Sequence, residues 1–108
     1  MCTAADWRGA LARGRYDGSP DDLRDGYVHL STARQVAGVL ERYFANAVDL
    51  VAIRLTTEAL GAALRWETNS KGEAFPHLYG ALPVAAAERV EPVPDGAAGR
   101  RALAERLA

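Results

Sequence analysis

At 108 residues the chain has the length of one domain, and we expect a single domain over 1–108 with its core at about 6–93. The 13 basic and 14 acidic residues nearly cancel, which excludes strong nucleic-acid binding through clustered positive charge. No apolar run approaches the ~20 residues of a membrane-spanning helix. No secretory signal is recognisable either, so we expect a cytoplasmic protein without a membrane segment.

The first 26 residues predict one helix followed by a turn-rich stretch. Thr3 suits the N-cap of a helix over 3–13, and Gly14 suits its end because glycine readily adopts the left-handed conformation found there. Residues 15–26 are rich in glycine, proline and aspartate, which predicts a long loop, either functional or a solvated connector. Cys2 is the only cysteine, and we expect an incidental thiol at a frayed end.

The middle of the chain contains the clearest periodic patterns. Residues 27–30 have the composition of a strand, and a helix capped by Ser31 or Thr32 is expected to run to about residue 46. The apolar run within 49–55 predicts a buried central strand. The apolar residues of the expected helix recur at helical spacing and form one stripe: Val36, Val39, Leu40, Tyr43 and Phe44.

The remaining elements are predicted to be short. They are a helical turn over 57–63, a strand over 64–68, a turn over 69–72, an irregular or short strand over 75–82, an edge strand over 87–93 and a C-terminal helix or tail over 96–108. Strands and unequal helices without a regular βαβ repeat predict the α+β class, as a small mixed sheet with flanking helices.

The first of three short motifs covers residues 25–32 and reads Asp-Gly-Tyr-Val-His-Leu-Ser-Thr. Strand alternation places Tyr27, His29 and Ser31 on one face and the apolar residues on the other. This polar face would adjoin the free N–H groups of a helix N-terminus, which suits an anion or a ribose hydroxyl. The pattern also fits a structural histidine beside an ordinary helix cap, so both interpretations stay open.

The second motif, Leu-Arg-Trp-Glu over residues 64–67, places two opposite charges on one strand face. Arg65 and Glu67 fit a solvated surface pair, which would stabilise the fold little. Alternatively, Glu67 projects into a cleft as a general base or as an acceptor for a substrate hydroxyl. The sequence leaves both interpretations open.

The third motif, Phe-Pro-His-Leu-Tyr-Gly over residues 75–80, has neither a helical nor a strand period. His77 and Tyr79 share a face if the segment is extended, and they then either contact a ligand or brace the fold. Because the chain has two histidines and no compact ligand spacing, we expect no metal site.

The three motifs in this order, over about residues 6–93, resemble the bacterial domain-of-unknown-function family 952. Members of that family look like small relatives of the ADP-ribosyltransferase fold, a split mixed β-sheet whose cleft holds NAD in the enzymes. The resemblance therefore implies an ADP-ribosyltransferase-like fold with NAD as the cofactor. The chain departs from the family at its start, where only two residues precede the first predicted helix in place of an apolar strand.

The resemblance also implies roles for individual residues. His29 is similar to the residue that contacts the NAD ribose and nicotinamide, Glu67 to the glutamate that stabilises the ribosyl transition state, and Tyr79 to an aromatic wall. The enzymes' Glu-x-Glu or Gln-x-Glu pattern is replaced by Arg-Trp-Glu at 65–67. The other ligand-binding candidates are Ser31, Thr32, Arg65 and His77.

Three functions follow as hypotheses. The first is an NAD-dependent ADP-ribosyl transferase or glycohydrolase, and the second is a module that binds a nucleotide or small anion without turnover. In the third, the motifs serve folding alone. Convergence of the His29, Glu67 and His77 side chains on one pocket is the observation that would decide most, and separate surfaces would favour the third.

Overall fold

The computed structural model describes every residue from Met1 to Ala108. Five α-helices and eight short strands alternate without a repeat, which confirms the predicted α+β class. Three single turns of 3-10 helix cover Ala33–Gln35, Gly61–Ala63 and Val84–Ala86. The helices are Ala4–Arg13 (α1), Pro20–Asp25 (α2), Val36–Tyr43 (α3), Thr57–Leu60 (α4) and Ala97–Leu107 (α5). The strands are Cys2–Thr3 (β1), Arg15–Tyr16 (β2), Val28–His29 (β3), Leu50–Arg54 (β4), Leu64–Thr68 (β5), Ala74–Leu78 (β6), Leu82–Pro83 (β7) and Arg89–Pro92 (β8).

The strands form three small sheets in which every pairing is antiparallel. The expectation of a mixed sheet was therefore wrong. We call the sheet with strand order β1-β4-β8 the support sheet, and the sheet with order β3-β6-β5 the motif sheet. Strands β2 and β7 pair separately. The predicted central strand is confirmed, because β4 lies between two partners, and so is the edge strand β8.

The first helix follows the sequence closely. The Thr3 hydroxyl accepts the N–H of Asp6, and Gly14 ends the helix in the left-handed conformation with φ 86°. Trp7 and Ala10 face the core. The expected helix over 3–13, its cap and its end are therefore confirmed.

The turn-rich stretch 15–26 is more ordered than its composition predicted, and the expectation of a loop was wrong. Ser19 caps α2 by accepting from the N–H of Asp22, while the Asp22 carboxylate accepts the N–H of Ser19. Pro20 occupies the first turn, where its missing N–H costs nothing, and Gly26 ends the helix with φ 88°. This reciprocal cap fixes Asp22 directly before the first motif.

The amphipathic helix is shorter than predicted, since it opens as a 3-10 turn and ends at Tyr43 instead of near residue 46. Val36 and Leu40 are buried as expected, whereas Tyr43 is 71% exposed. The reason lies in Arg100 of α5, which is buried and donates to the backbone oxygens of Phe44 and Ala47 at 2.6 Å each. These bonds hold the chain after α3 in a non-helical path.

Two apolar clusters flank the support sheet. On one side Val51 and Ile53 pack with α1 and the motif sheet, and on the other Leu50 packs with α3 and α5, where Leu103 is 1% exposed. Burial on both sides explains the continuous apolar run of β4. The C-terminal segment 96–108 contains a helix docked on α3 and anchored by Arg100.

The chain start differs from expectation. Cys2 is 5% exposed and pairs with Val51, so the expectation of a frayed end was wrong. Pairing with β4 places the thiol among core side chains, and this burial raises its pKa. A short strand therefore does precede the first helix. None of the helices has both the length and the apolar character needed to span a membrane.

Candidate functional site

Strand pairing in the motif sheet brings the three sequence motifs side by side. His29 on β3 is the register partner of His77 on β6, and His77 is opposite Arg65 on β5. Alternation sends the apolar neighbours Val28 and Leu78 to the other face, where they are 4% and 2% exposed. We name the polar side the histidine–tyrosine face, formed by Tyr27, His29, Arg65, Glu67, His77 and Tyr79.

Glu67 is the centre of this face. Its Oε1 accepts the hydroxyl of Tyr79 at 2.7 Å and lies 2.8 Å from Nδ1 of His77. Both contacts use the same oxygen, which leaves Oε2 for a further donor. The Glu67 side chain is 40% exposed and therefore reachable, whereas His77 is largely covered.

Stacked rings join the two histidines. Tyr27 stacks on His77 with a centroid distance of 4.0 Å and an interplanar angle of 20°, and it lies 4.7 Å from His29. Its centroid is 5.2 Å from that of Tyr79, and the two imidazoles are 5.6 Å apart. His29, His77 and Glu67 thus lie on one surface, which counts against the hypothesis that the motifs serve folding alone on separate surfaces.

His29 is paired with a carboxylate that its sequence motif does not predict. Oδ1 of Asp22 lies 2.5 Å from Nδ1 of His29 and accepts the backbone N–H of His29 at 3.1 Å. Oδ2 accepts the N–H of Ser19 at 2.8 Å. Since Asp22 is 7% exposed and fully engaged, it orients the imidazole with Nε2 toward the surface.

A second aspartate lies at the outer nitrogen of this imidazole. Oδ2 of Asp25 is 3.1 Å from Nε2 of His29. The pKa of Asp25 is lowered, first by its hydrogen bond with Arg24 and then by the charges of Arg24 and His29. Because the contact is on the surface, a ligand oxygen can replace the Asp25 carboxylate at Nε2.

The hydrogen bonds around Glu67 also set its charge. The Tyr79 hydroxyl first, and then His77, hold the pKa of the Glu67 carboxyl below its ordinary value. The same bond raises the pKa of Tyr79, since the neutral phenol is the donor. Glu67 is therefore an anion near neutral pH. Because an ionised carboxylate only accepts, Nδ1 of His77 carries the proton and donates it.

Arg65 supplies the positive charge of this face. Its guanidinium lies 4.7 Å from the centroid of the Tyr79 ring, a cation–π arrangement. No ion pair joins Arg65 to Glu67, so the surface-pair interpretation of this motif was wrong. Side-chain contacts instead join Glu67 to His77 and to the Tyr79 hydroxyl, and place the Arg65 guanidinium on the Tyr79 ring.

Two of the sequence candidates lie elsewhere. Ser31 and Thr32 line a cavity of about 300 Å³, and neither His29 nor Glu67 lines it. Strand β3 ends at His29, so the alternation that placed Ser31 beside His29 does not continue. The prediction that Ser31 or Thr32 caps the following helix is confirmed for Thr32, which is the N-cap residue of the 3-10 turn before α3 and whose backbone N–H donates to Oε1 of Gln35 at 2.9 Å.

The arrangement suits acid–base and electrostatic chemistry. It combines an ionised, half-exposed carboxylate with two imidazoles, each paired with a carboxylate through Nδ1. No group of three or more histidine, cysteine, aspartate or glutamate side chains is placed to hold a metal ion.

One signal in the sequence could have identified Asp22. Residues 19–22 read Ser-Pro-Asp-Asp, in which a capping serine, a proline at the first helical position and an acidic residue three places later predict a capped helix. The link from Asp22 to His29 could not be read in this way, since it depends on how α2 packs against β3.

Comparison with solved structures gives close relatives of the same fold. The crystal structure of protein CC0527 from Caulobacter crescentus is 36% identical, with a TM-score of 0.83 over 86% of this chain and 82% of that chain. The solution NMR structure of CC0527 is 37% identical, with a TM-score of 0.82 over 98% of this chain and 91% of the other. A crystal structure of a CC0527 double mutant gives 35% identity and a TM-score of 0.82.

No curated protein matches the chain. A family model described as "Protein of unknown function (DUF952)" matches residues 1–90, which contain all three motifs. The chain therefore belongs to the family of proteins of unknown function DUF952.

Proposed function

We propose that the protein is an NAD-dependent ADP-ribosyl transferase or glycohydrolase, and that it acts at the histidine–tyrosine face. The observation that carries the proposal is Glu67, an ionised and reachable carboxylate fixed through one oxygen by His77 and Tyr79. A fixed negative charge stabilises positive charge that develops on a substrate. The proposal includes an ADP-ribosyltransferase-like fold, which the division of the strands into small separate sheets supports.

The residues of this face fit NAD chemically. Tyr27 and Tyr79 offer rings for stacking, and the Arg65 guanidinium is available for a phosphate. His29 presents Nε2, and Glu67 presents Oε2 as an acceptor for a ribose hydroxyl. NAD would supply an ADP-ribosyl group whose ribose becomes positively charged as nicotinamide leaves.

Each residue then has a separate task. Glu67 stabilises the positive ribose, and its bond to His77 keeps the proton on Nδ1, so that Nε2 of His77 is the basic nitrogen. That nitrogen can take the proton of the attacking water or hydroxyl. His29 donates from Nδ1 to Asp22, so its Nε2 accepts a hydrogen bond from a ribose hydroxyl.

The test is an NAD titration followed by thermal unfolding, with nicotinamide release measured in parallel. We expect a rise in melting temperature at millimolar NAD, because a ligand that binds the native state stabilises it. Nicotinamide release should fall about 100-fold or more in Glu67→Gln, the size of effect seen when one electrostatic stabiliser is removed. Glu105→Gln, an exposed site on α5, is the matched control. Absence of any NAD-dependent shift would overturn the proposal.

A second candidate is a module that binds a nucleotide or small anion without turnover. It is favoured by the exposure of the face, since the Glu67 side chain is 40% exposed and Tyr79 is 36% exposed. Enzymes of this type exclude water from the reacting atoms. Binding without nicotinamide release, unchanged in Glu67→Gln and lost in His29→Ala, would identify this module.

A further inference from the structure

A cavity lies on the other side of the motif sheet from the histidine–tyrosine face. It measures about 300 Å³, which is at the lower end of small-molecule sites. Residues of β4 and β8 from the support sheet form one wall, and residues of β5 and β6 form the other. His29, Glu67 and His77 do not contribute, so the cavity is a separate site from the one proposed above.

Most of the lining is apolar. Leu30, Ile53, Leu60 and Leu64 line the cavity and are only partly buried, and Trp66 lines it with 53% of its surface exposed. Partly buried apolar side chains around a recess gain free energy when an apolar body covers them. This wall therefore suits a small hydrophobic molecule.

One polar atom in the lining lacks a hydrogen bond. Glu91 pairs through Oε1 with Nε of Arg89 at 2.6 Å, while its Oε2 is buried and accepts no hydrogen bond. Nη2 of Arg106 is 3.5 Å from Oε2, a distance that gives charge compensation without a hydrogen bond. Because the charge of Glu91 is already balanced, what Oε2 lacks is a donor and not a cation.

We propose that this cavity binds a small apolar molecule that carries one hydroxyl or amide N–H, and that this group donates to Oε2 of Glu91. The apolar body lies against Trp66 and Leu60, and the donor satisfies the buried carboxylate oxygen. Ser31 and Thr56 also line the cavity, and their side chains carry hydroxyls that can form further hydrogen bonds. Ser31 and Thr32 are thus ligand-binding residues of this second site.

A matched pair of probes tests the proposal: 2-phenylethanol, which carries a hydroxyl, and ethylbenzene, which has nearly the same shape without it. The readout is the indole N–H signal of Trp66 in NMR spectra, with Trp7 as internal control because it is buried outside this cavity. We expect both probes to shift Trp66 saturably, with 2-phenylethanol binding about tenfold more tightly, as one hydrogen bond to a carboxylate supplies.

Two variants locate the interaction. Glu91→Ala should remove the preference for the alcohol while ethylbenzene still binds, and that retained binding demonstrates an intact cavity. Leu60→Trp should fill the recess and block both probes, whereas Leu23→Trp, at a site that is 67% exposed, should change neither. The proposal fails if the probes bind equally to the wild type, if neither shifts Trp66, or if Glu91→Ala keeps the preference.

Discussion

The two histidines each pair with a carboxylate through Nδ1, but the two carboxylates have opposite surroundings. Asp22 is buried and accepts three hydrogen bonds, from the imidazole and N–H of His29 and from the N–H of Ser19. Glu67 is half-exposed, accepts two hydrogen bonds through one oxygen and keeps the other oxygen free. The same pair of residue types thus forms a structural anchor at one position and an accessible charge at the other.

Because of this difference, the two carboxylates should contribute to different properties of the protein. Removing a buried acceptor leaves several donors without partners, whereas removing an exposed one lets water replace it. Asp22 should therefore affect mainly the fold and the orientation of His29. Glu67 should affect mainly the proposed reaction and the pH dependence of stability.

The largest expected effect is that of Asp22→Ala on stability. The substitution leaves the N–H of Ser19 and two donors of His29 without their acceptor, and we expect a loss of about 3 kcal/mol in the free energy of unfolding. Urea denaturation measures it. Asp21→Ala is the control, because Asp21 makes only an exposed pair with Arg24 and should change stability by less than about 0.5 kcal/mol. Equal losses of unfolding free energy in Asp22→Ala and Asp21→Ala would show that the hydrogen bonds of Asp22 do not stabilise the fold.

A smaller effect is expected in the pH dependence of stability. The pKa of Glu67 is lowered in the folded state, so its ionised form stabilises the fold above the ordinary value of 4.5, and this contribution is lost as the pH falls through the folded pKa. Wild type should exceed Glu67→Gln in urea midpoint at pH 6, and the difference should disappear at acid pH. A difference that is independent of pH would contradict the proposed hydrogen bonding of Glu67.

The smallest change is expected in Tyr79→Phe. It removes the largest single cause of the lowered Glu67 pKa, so that pKa should rise toward its ordinary value while His77 retains part of the effect. Carboxyl ¹³C NMR titration measures the change. Tyr43→Phe, on an exposed tyrosine of α3, should leave the Glu67 titration as it is in the wild type. If the Glu67 pKa is the same in Tyr79→Phe as in the wild type, the Tyr79 hydroxyl does not donate to Glu67.

Local signals in the sequence predicted much of the fold. The cap at Thr3, the end at Gly14 and the apolar run of β4 depend on neighbours in the chain, and all three are confirmed. The stretch 15–26 was misjudged because β2 pairs with β7, more than 60 positions away, and because the cap at Ser19 was overlooked. Composition alone cannot reveal such distant pairing.

The sequence predicted only part of the candidate site, again because local patterns can be read from it and distant strand pairing cannot. Alternation correctly placed Tyr27 and His29 on one polar face, because Tyr27 directly precedes β3 and its ring lies 4.7 Å from that of His29. It failed for Ser31, because β3 ends at His29, and it could not assign Glu67 to His77, which requires the register of β5 against β6. Register is set by the whole sheet and its buried face.

We propose that NAD binds the histidine–tyrosine face and not the cavity beneath the motif sheet. The presence of two histidines allows a direct test, an NAD titration followed through the imidazole nitrogen signals in long-range ¹H–¹⁵N spectra. We predict that the signals of both His29 and His77 shift saturably with NAD while the indole signal of Trp66 stays in place. A shift of Trp66 with unmoved imidazoles, or no shift at millimolar NAD, would contradict the claim.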